Sequence, residues 1–288
     1  MHPKKIGLIA HTGKPHVGEL IRELATEFAR FGVSPLIESE TAEVAGHAAG
    51  RSIAEVGEES DLLVVLGGDG TILNVVGRLA GVIKPIFGIN VGSLGFLTCA
   101  NSSSFRQAVE CIVAGKMTFS DRSLLDVALT TGDKILTSMT GLNDAVVSRG
   151  EISRLIRLKT RVNGEPLTEF NADGLIIATP TGSTAYSLSA GGPIMAPDSG
   201  VLVITPICPH VLTNRSLIVA DTSLIEVEVG EREYPVYLTV DGHSPLPVNP
   251  GATVAVRKSE KTLSLAVLPE TSFFGVVRQK LKWSGSNV

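Results

Sequence analysis

Two hydrophobic rhythms divide this chain, and one gives way to the other near residue 121. In the first stretch, short apolar runs alternate with helical spacing. Ile6–Ala10, Pro35–Glu38, Leu62–Leu66 and Ile86–Val91 read as strands. Val17, Leu20, Ile21, Leu24 and Phe28 share one helical face with Gly32 as C-cap, and Thr71–Ala80 has helical spacing too. Phe105, Ala108, Val109 and Ile112 mark a further helix, with Ser102–Ser104 as N-cap candidates and Gly115 beyond its end. Strands alternating with helices predict a parallel sheet with crossover helices.

Beyond Arg122 the apolar period shortens to two. Ser123–Thr130 and Lys134–Thr140 flank Thr131-Gly132-Asp133, a hairpin pattern. Leu155–Val162 and Glu165–Phe170 flank Asn163-Gly164, the signature of a type I′ turn. Leu217–Val229, Pro235–Val240, Thr253–Lys258 and Thr262–Leu268 also read as strands. This half is therefore expected to be β-rich and antiparallel. The tail, Thr271–Trp283, returns to helical spacing with Phe274, Val277 and Leu281 on one side, and is expected to fold back on the first half.

The most informative local feature is the run Leu62–Leu66 ending in Gly67-Gly68-Asp69-Gly70-Thr71. Strand, glycine turn and helix in that order bring main-chain N–H groups and a helix N-terminus to one point, which suits phosphate. Gly67, Gly68, Gly70 and Thr71 are the phosphate-binding candidates. Asp69 does not belong in a plain phosphate cradle, because a carboxylate repels phosphate. It suits a magnesium ligand or a base facing a substrate hydroxyl, and so phosphoryl transfer. A tight turn alone would also use these residues.

Other segments carry weaker signals. Gly88, Gly92 and Gly95 loosely match dinucleotide-binding turns without forming GxGxxG, and Phe96 suits either adenine stacking or a core position. Asn143-Asp144 offers a donor and acceptors to ribose hydroxyls, with Arg154 and Arg157 close by in sequence. Asn171-Ala172-Asp173-Gly174 leads through a strand into Thr179-Pro180-Thr181-Gly182-Ser183-Thr184, too hydroxyl-rich for a core and suited to phosphates and sugars. Asp241-Gly242-His243 reads as a turn, with His243 a better ligand contact than catalytic base. GxxxxGK[ST], GxSxG and HExxH are absent.

Composition narrows the classes. With 288 residues, 43% apolar and 19% charged, the chain can bury a substantial core. Net charge is −4 without a basic stripe, which argues against nucleic acid, and no apolar run suggests a membrane span. Cys99, Cys111 and Cys208 are widely spaced and no histidines pair at ligand spacing. A reducing, cytoplasmic setting is expected, with no disulfide or zinc framework.

Together these motifs resemble the NAD kinase family, in the family's order: Gly67–Thr71, Asn90–Leu97, Asn143-Asp144, then Asp173-Gly174 with Thr179–Tyr186. The tail 273–283 also matches, so the resemblance spans nearly the whole chain. It implies an α/β plus all-β fold: a Rossmann-like domain over residues 1–121, rejoined by 269–288, and a β-sandwich NAD-binding domain over 122–268. It implies a homodimer or homotetramer, NAD and ATP as substrates with polyphosphate an open alternative donor, and Mg2+ held mainly through ATP. Asp69 would be the general base, with Gly70 against NAD and the donor phosphates. Phe96, Asn143, Asp144 and Asp173 would contact NAD, as would Thr184, Ala185, Tyr186, Ser187, Leu188 and Ser189. Arg154, Asn171 and His243 fall at positions that vary in the family. Many relatives carry Glu where this chain has Asp144. A lipid kinase, an NAD-dependent oxidoreductase built on Gly88–Gly95, and a non-catalytic nucleotide sensor are the competing readings.

Overall fold

The computed structural model describes residues 2–47, 49–79, 81–92, 95–150, 154–231 and 234–283. The chain forms two compact units: Met1–Asp121 with Leu263–Val288, and Arg122–Thr262.

The first unit is α/β. Its elements run β1 (Ile6–Ala10), α1 (Val17–Arg30), β2 (Leu36–Ile37), α2 (Ser39–Ala45), α3 (Ile53–Glu59), β3 (Leu62–Leu66), α4 (Asp69–Arg78), β4 (Ile86–Asn90), β5 (Ala100–Asn101) and α5 (Phe105–Val113). The sheet order is β2-β1-β3-β4, parallel throughout, with β5 beside β4. All residues of β1, β3 and β4 are buried, as expected of a sheet covered on both faces. Val17, Leu20, Ile21, Leu24 and Phe28 of α1 pack with Phe105, Ala108, Val109 and Ile112 of α5 over that sheet, matching the spacing. Two helices lie outside the sequence expectation. α2 and α3 have seven residues each, too few for a clear apolar period. Only the capping box of α3, Ser52 with Glu55, left a local signal.

The second unit is all-β. It contains β6 (Thr118–Thr131, entering from the first unit), β7 (Lys134–Gly141), β8 (Asp144–Arg149), β9 (Ile156–Val162), β10 (Glu165–Ala172), β11 (Gly174–Ala178), the short helix α6 (Tyr186–Ser189), β12 (Val201–Ile207), β13 (Leu217–Ala220), β14 (Ile225–Val229), β15 (Val236–Val240), β16 (Leu246–Val248) and β17 (Thr253–Val267). One antiparallel sheet has the order β13-β12-β11-β8-β15-β16. The other carries β10-β9-β14-β17 with the β6–β7 hairpin paired to β17. Val127, Val147, Leu158, Ile177, Ile204, Val227, Leu238 and Val254 form one core from both sheets, so this unit is a sandwich. Asn163 and Gly164 both have positive φ, 54° and 80°, as the type I′ turn requires.

Three expectations need correction. Leu217–Val229 is two strands, because a turn closes with Ser223 N–H donating to Ala220 O. Thr253–Lys258 and Thr262–Leu268 are one fifteen-residue strand, β17, whose exposed charged middle had looked like a break. Near its end, Leu265 and Ala266 pair in parallel with β4. In the tail helix α7 (Phe273–Lys280), Val276 and Val277 are buried while Phe274 is 63% exposed, so the buried face is not the one expected. Among the described residues no helix is long and apolar enough to cross a membrane.

Candidate active site

The buried strand β3 delivers the glycine turn to the carboxyl end of the first sheet, where α/β folds commonly bind ligands. Gly68 is the N-cap of α4, and the helix starts at Asp69, two residues before the apolar spacing begins. A Cβ at Gly67 would lie 2.2 Å from Thr71 Oγ1, so only glycine lets the turn close this tightly. A cleft of about 500 Å³ opens beside it, lined by Gly68, Gly70 and Thr71, by Asn74 and Arg78 of α4, and by His11, Thr12 and Lys14 after β1.

Asp69 stands between two glycines of the cleft wall, and its carboxylate is held by the main chain of residues 96 and 97. Oδ2 accepts from Phe96 N–H at 2.8 Å and Oδ1 from Leu97 N–H at 3.0 Å. Gly95 lies so close that a Cβ there would fall 1.9 Å from Oδ1. Thr98 Oγ1, which accepts from Gly95 N–H at 2.8 Å, holds that backbone in place. Gly68, Gly70 and Thr71 line the cleft, whereas the Asp69 carboxylate is taken up by the main chain of residues 96 and 97. Each oxygen keeps lone-pair capacity for a hydroxyl.

Charge in the cleft is divided unevenly. Arg78 is committed to buried Glu38 at 3.2 Å and to Glu40 at 3.3 Å. Among the described residues no carboxylate pairs with Lys14. His11 Nδ1 accepts from Gly13 N–H at 3.1 Å, which leaves Nε2 as the donor of the neutral ring. Residues 11–15 lack both the upstream glycine and the hydroxyl after the lysine of a GxxxxGK[ST] loop, so no motif marks them. Their proximity to the glycine turn depends on the β1–β3 register, Ala10 beside Leu66.

In the second unit, Asn143 and Asp144 lie at the link from β7 into β8, and both are buried. Thr179 Oγ1 donates to Leu142 O at 2.6 Å, and Thr179 N–H donates to Asn143 O at 2.9 Å. Gly182 packs so tightly that a Cβ would meet Asn143 O at 2.1 Å. The Asn-Asp pair and the hydroxyl-rich segment are thus one structure. Asn143 Oδ1 and Thr181 Oγ1 are buried without a hydrogen-bond partner, two polar atoms left for a ligand. Burial, with the neighbouring Asp241 charge, pushes the Asp144 carboxyl up to about 7.

The hydroxyl-rich segment differs from expectation. Thr179, Ser183 and Ser187 are fully buried and serve the fold. Ser183 Oγ donates to Pro180 O at 2.6 Å, Thr184 Oγ1 to Thr181 O at 3.1 Å, and Ser187 Oγ pairs with Thr205 Oγ1 at 3.0 Å. A turn with three buried hydroxyls needs internal partners, and these side chains supply them. Tyr186, at 47% exposure, remains outside that bracing. Asp173 is bound by Arg149, with Nε to Oδ1 at 2.6 Å, a partner that the sequence did not single out. Arg154 is exposed, Asn171 sits half-buried on β10, and His243 is half-buried in the turn after β15. Phe96 is half-buried and contributes its N–H to Asp69.

Residues 6–117 match the ATP-NAD kinase N-terminal domain and residues 142–268 match the ATP-NAD kinase C-terminal domain. The chain belongs to the NAD kinase family. An NAD kinase of Trichlorobacter lovleyi is 40% identical over 281 residues, 97% of this chain and 99% of that protein. That of Geobacter sulfurreducens is 37% identical over 280 residues, 97% of this chain and 99% of that one. Among solved structures, yeast NADH kinase complexed with NADH aligns with TM-score 0.90 and 27% identity, over 99% of this chain and 89% of that one. An NAD kinase from Archaeoglobus fulgidus in complex with ATP shares the fold, with TM-score 0.77 and 24% identity over 98% and 100% of the two chains. The fold and the enzyme class of the chain follow from that family.

Proposed function

We propose that this chain transfers the γ-phosphoryl of ATP to the 2′-hydroxyl of the adenosine ribose of NAD, giving NADP and ADP. The observation that carries the reading is the Asp69 carboxylate, fixed in the glycine turn by the Phe96 and Leu97 N–H groups with lone-pair capacity left for a hydroxyl. The new bond joins the ribose 2′-oxygen to the γ-phosphorus as the bond from that phosphorus to the β,γ-bridging oxygen breaks. The hydroxyl proton passes to Asp69, and the electron pair of the broken bond leaves with ADP. The transition state is loose and anionic, so positioning and charge neutralisation dominate.

Gly67, Gly68, Gly70 and Thr71 hold donor phosphate at the α4 N-terminus, and Lys14 with the His11 Nε2–H supports it from the β1 side. Asn143, Asp144, Asp173 and the 184–189 segment hold NAD, with the unpartnered Asn143 Oδ1 accepting from a ligand N–H. Mg2+ would arrive on the triphosphate, held mainly through ATP. Bound there, Mg2+ neutralises donor oxygens. Self-association belongs to the same reading: Leu217 and Ile218 on the edge strand β13, and Leu212 before it, are exposed. So does a cytoplasmic setting, which suits three free cysteines.

The test is incubation of the purified chain with NAD, Mg2+ and either ATP or polyphosphate, read by an NADP-specific dehydrogenase. Absence of NADP with both donors refutes the reading.

A further inference from the structure

We propose that Asp241 is the positioning residue of the NAD-holding segment, fixing the main chain of residues 142–144 so that Asn143 and Asp144 are set for the nucleotide before it arrives. The inference rests on the NAD kinase reading and adds to it a residue that touches no substrate.

Asp241 follows the last residue of β15 with φ 52°, and Gly242 continues the turn at φ 69°. Two consecutive left-handed residues reverse the chain sharply, which aims the Asp241 carboxylate back at the link between β7 and β8. There Oδ2 accepts from Leu142 N–H at 2.7 Å, and Oδ1 accepts from Asn143 N–H at 2.7 Å and Asp144 N–H at 3.2 Å. The Asp241 N–H donates in return to Asp144 O at 3.0 Å. From the other side Thr179 takes the carbonyls of Leu142 and Asn143. Every main-chain polar group of Leu142 and Asn143 is then satisfied within the protein. The Asn143 Oδ1 is what remains unpartnered.

A structural staple alone does not explain the charge arrangement. Asp144 is buried beside Asp241, and each carboxyl is pushed up by burial. The Asp241 charge raises Asp144 further, while three N–H donors and His243 oppose the shift at Asp241. The Thr179–Ala185 segment on the opposite side carries hydroxyls and no titratable group. Two like charges in a buried site are destabilising for the fold and are characteristic of functional sites. A neutral amide at 241 has one acceptor oxygen and cannot serve three donors on two oxygens.

The test compares Asp241→Asn and Asp241→Glu with the parent in steady-state NADP formation across pH, with folding followed by circular dichroism. NADP formation by the parent checks the NAD kinase reading by itself, so failure of that reading is seen before either variant is made. In D241N we expect KM for NAD to rise about tenfold or more, since displacements near 1 Å are that damaging. KM for ATP and kcat at saturating NAD stay within about threefold. The midpoint of the pH dependence of KM for NAD near 7 moves down, because a repelling charge facing Asp144 is gone. D241E keeps the charge but misplaces it, so KM rises and the midpoint stays. An unchanged KM for NAD in both variants, an unmoved midpoint in D241N, or kcat and KM worsening together overturns the proposal. So does failure of both variants to fold, which makes Asp241 a fold residue only.

Discussion

Gly95→Ala tests the Asp69 arrangement without removing a polar group. The added Cβ would sit 1.9 Å from Asp69 Oδ1, 2.5 Å from Cγ and 2.8 Å from Oδ2, while real Cβ atoms essentially never approach closer than 3.0 Å. The carboxylate must therefore retreat by about 1 Å or rotate, and either motion breaks its bonds from Phe96 and Leu97 N–H. A 1 Å misplacement of a reacting group lowers turnover about 10²-fold. Overpacking of this kind costs about 1–3 kcal/mol of stability, small enough for the variant to remain folded. The assay measures kcat and KM for NAD by coupled NADP formation, with Tm from calorimetry. We expect kcat to fall about 10²-fold, KM for NAD to change little, and Tm to drop by several degrees. A variant whose kcat stays within about threefold of the parent refutes the claim that this carboxylate needs its present position.

Three further outcomes are expected. Asp69→Asn removes the proton acceptor and turns an amide N–H toward one of the two main-chain donors, so kcat should fall about 10²–10⁴-fold while NAD affinity by calorimetry stays within a few-fold; equal loss of both defeats the base assignment. Lys14→Met should raise KM for ATP several-fold and leave KM for NAD and Tm unchanged, because the side chain is exposed beside the cleft; unchanged KM for ATP removes Lys14 from the donor site. Asp144 has a folded pKa of about 7, above its unfolded value, so the folded state binds more protons and the contribution of this group to stability falls as pH rises toward 7. Asp144→Asn should therefore gain Tm relative to the parent as pH is raised from about 4 to 7, and a Tm difference independent of pH contradicts the shift.

Local chemistry made part of this protein legible. The apolar faces of α1 and α5 are periodic over several turns, so burial on one side is written into their spacing. Asn163-Gly164 and Gly67-Gly68 specify turns because few other residues adopt those backbone geometries or tolerate such close approach. The order of the motifs was enough to name the family. β12 was not among the expected strands. Pro206 interrupts its apolar run, and a proline within a run argues against a strand.

Residue order alone places a carboxylate in a glycine turn at the end of a buried strand, and an Asn-Asp pair and a hydroxyl-rich segment in a β-rich half. Long-range packing sets which N–H groups hold Asp69, that the hydroxyls brace their own loop, and that Asp241 grips residues 142–144. The partners in these contacts are 27 residues apart for Asp69 and Phe96, and 97 to 99 apart for Asp241 and its three donors. A carboxylate selects its donors by distance in space, and strand register and sheet order bring those N–H groups within reach. No periodicity or short motif carries that information.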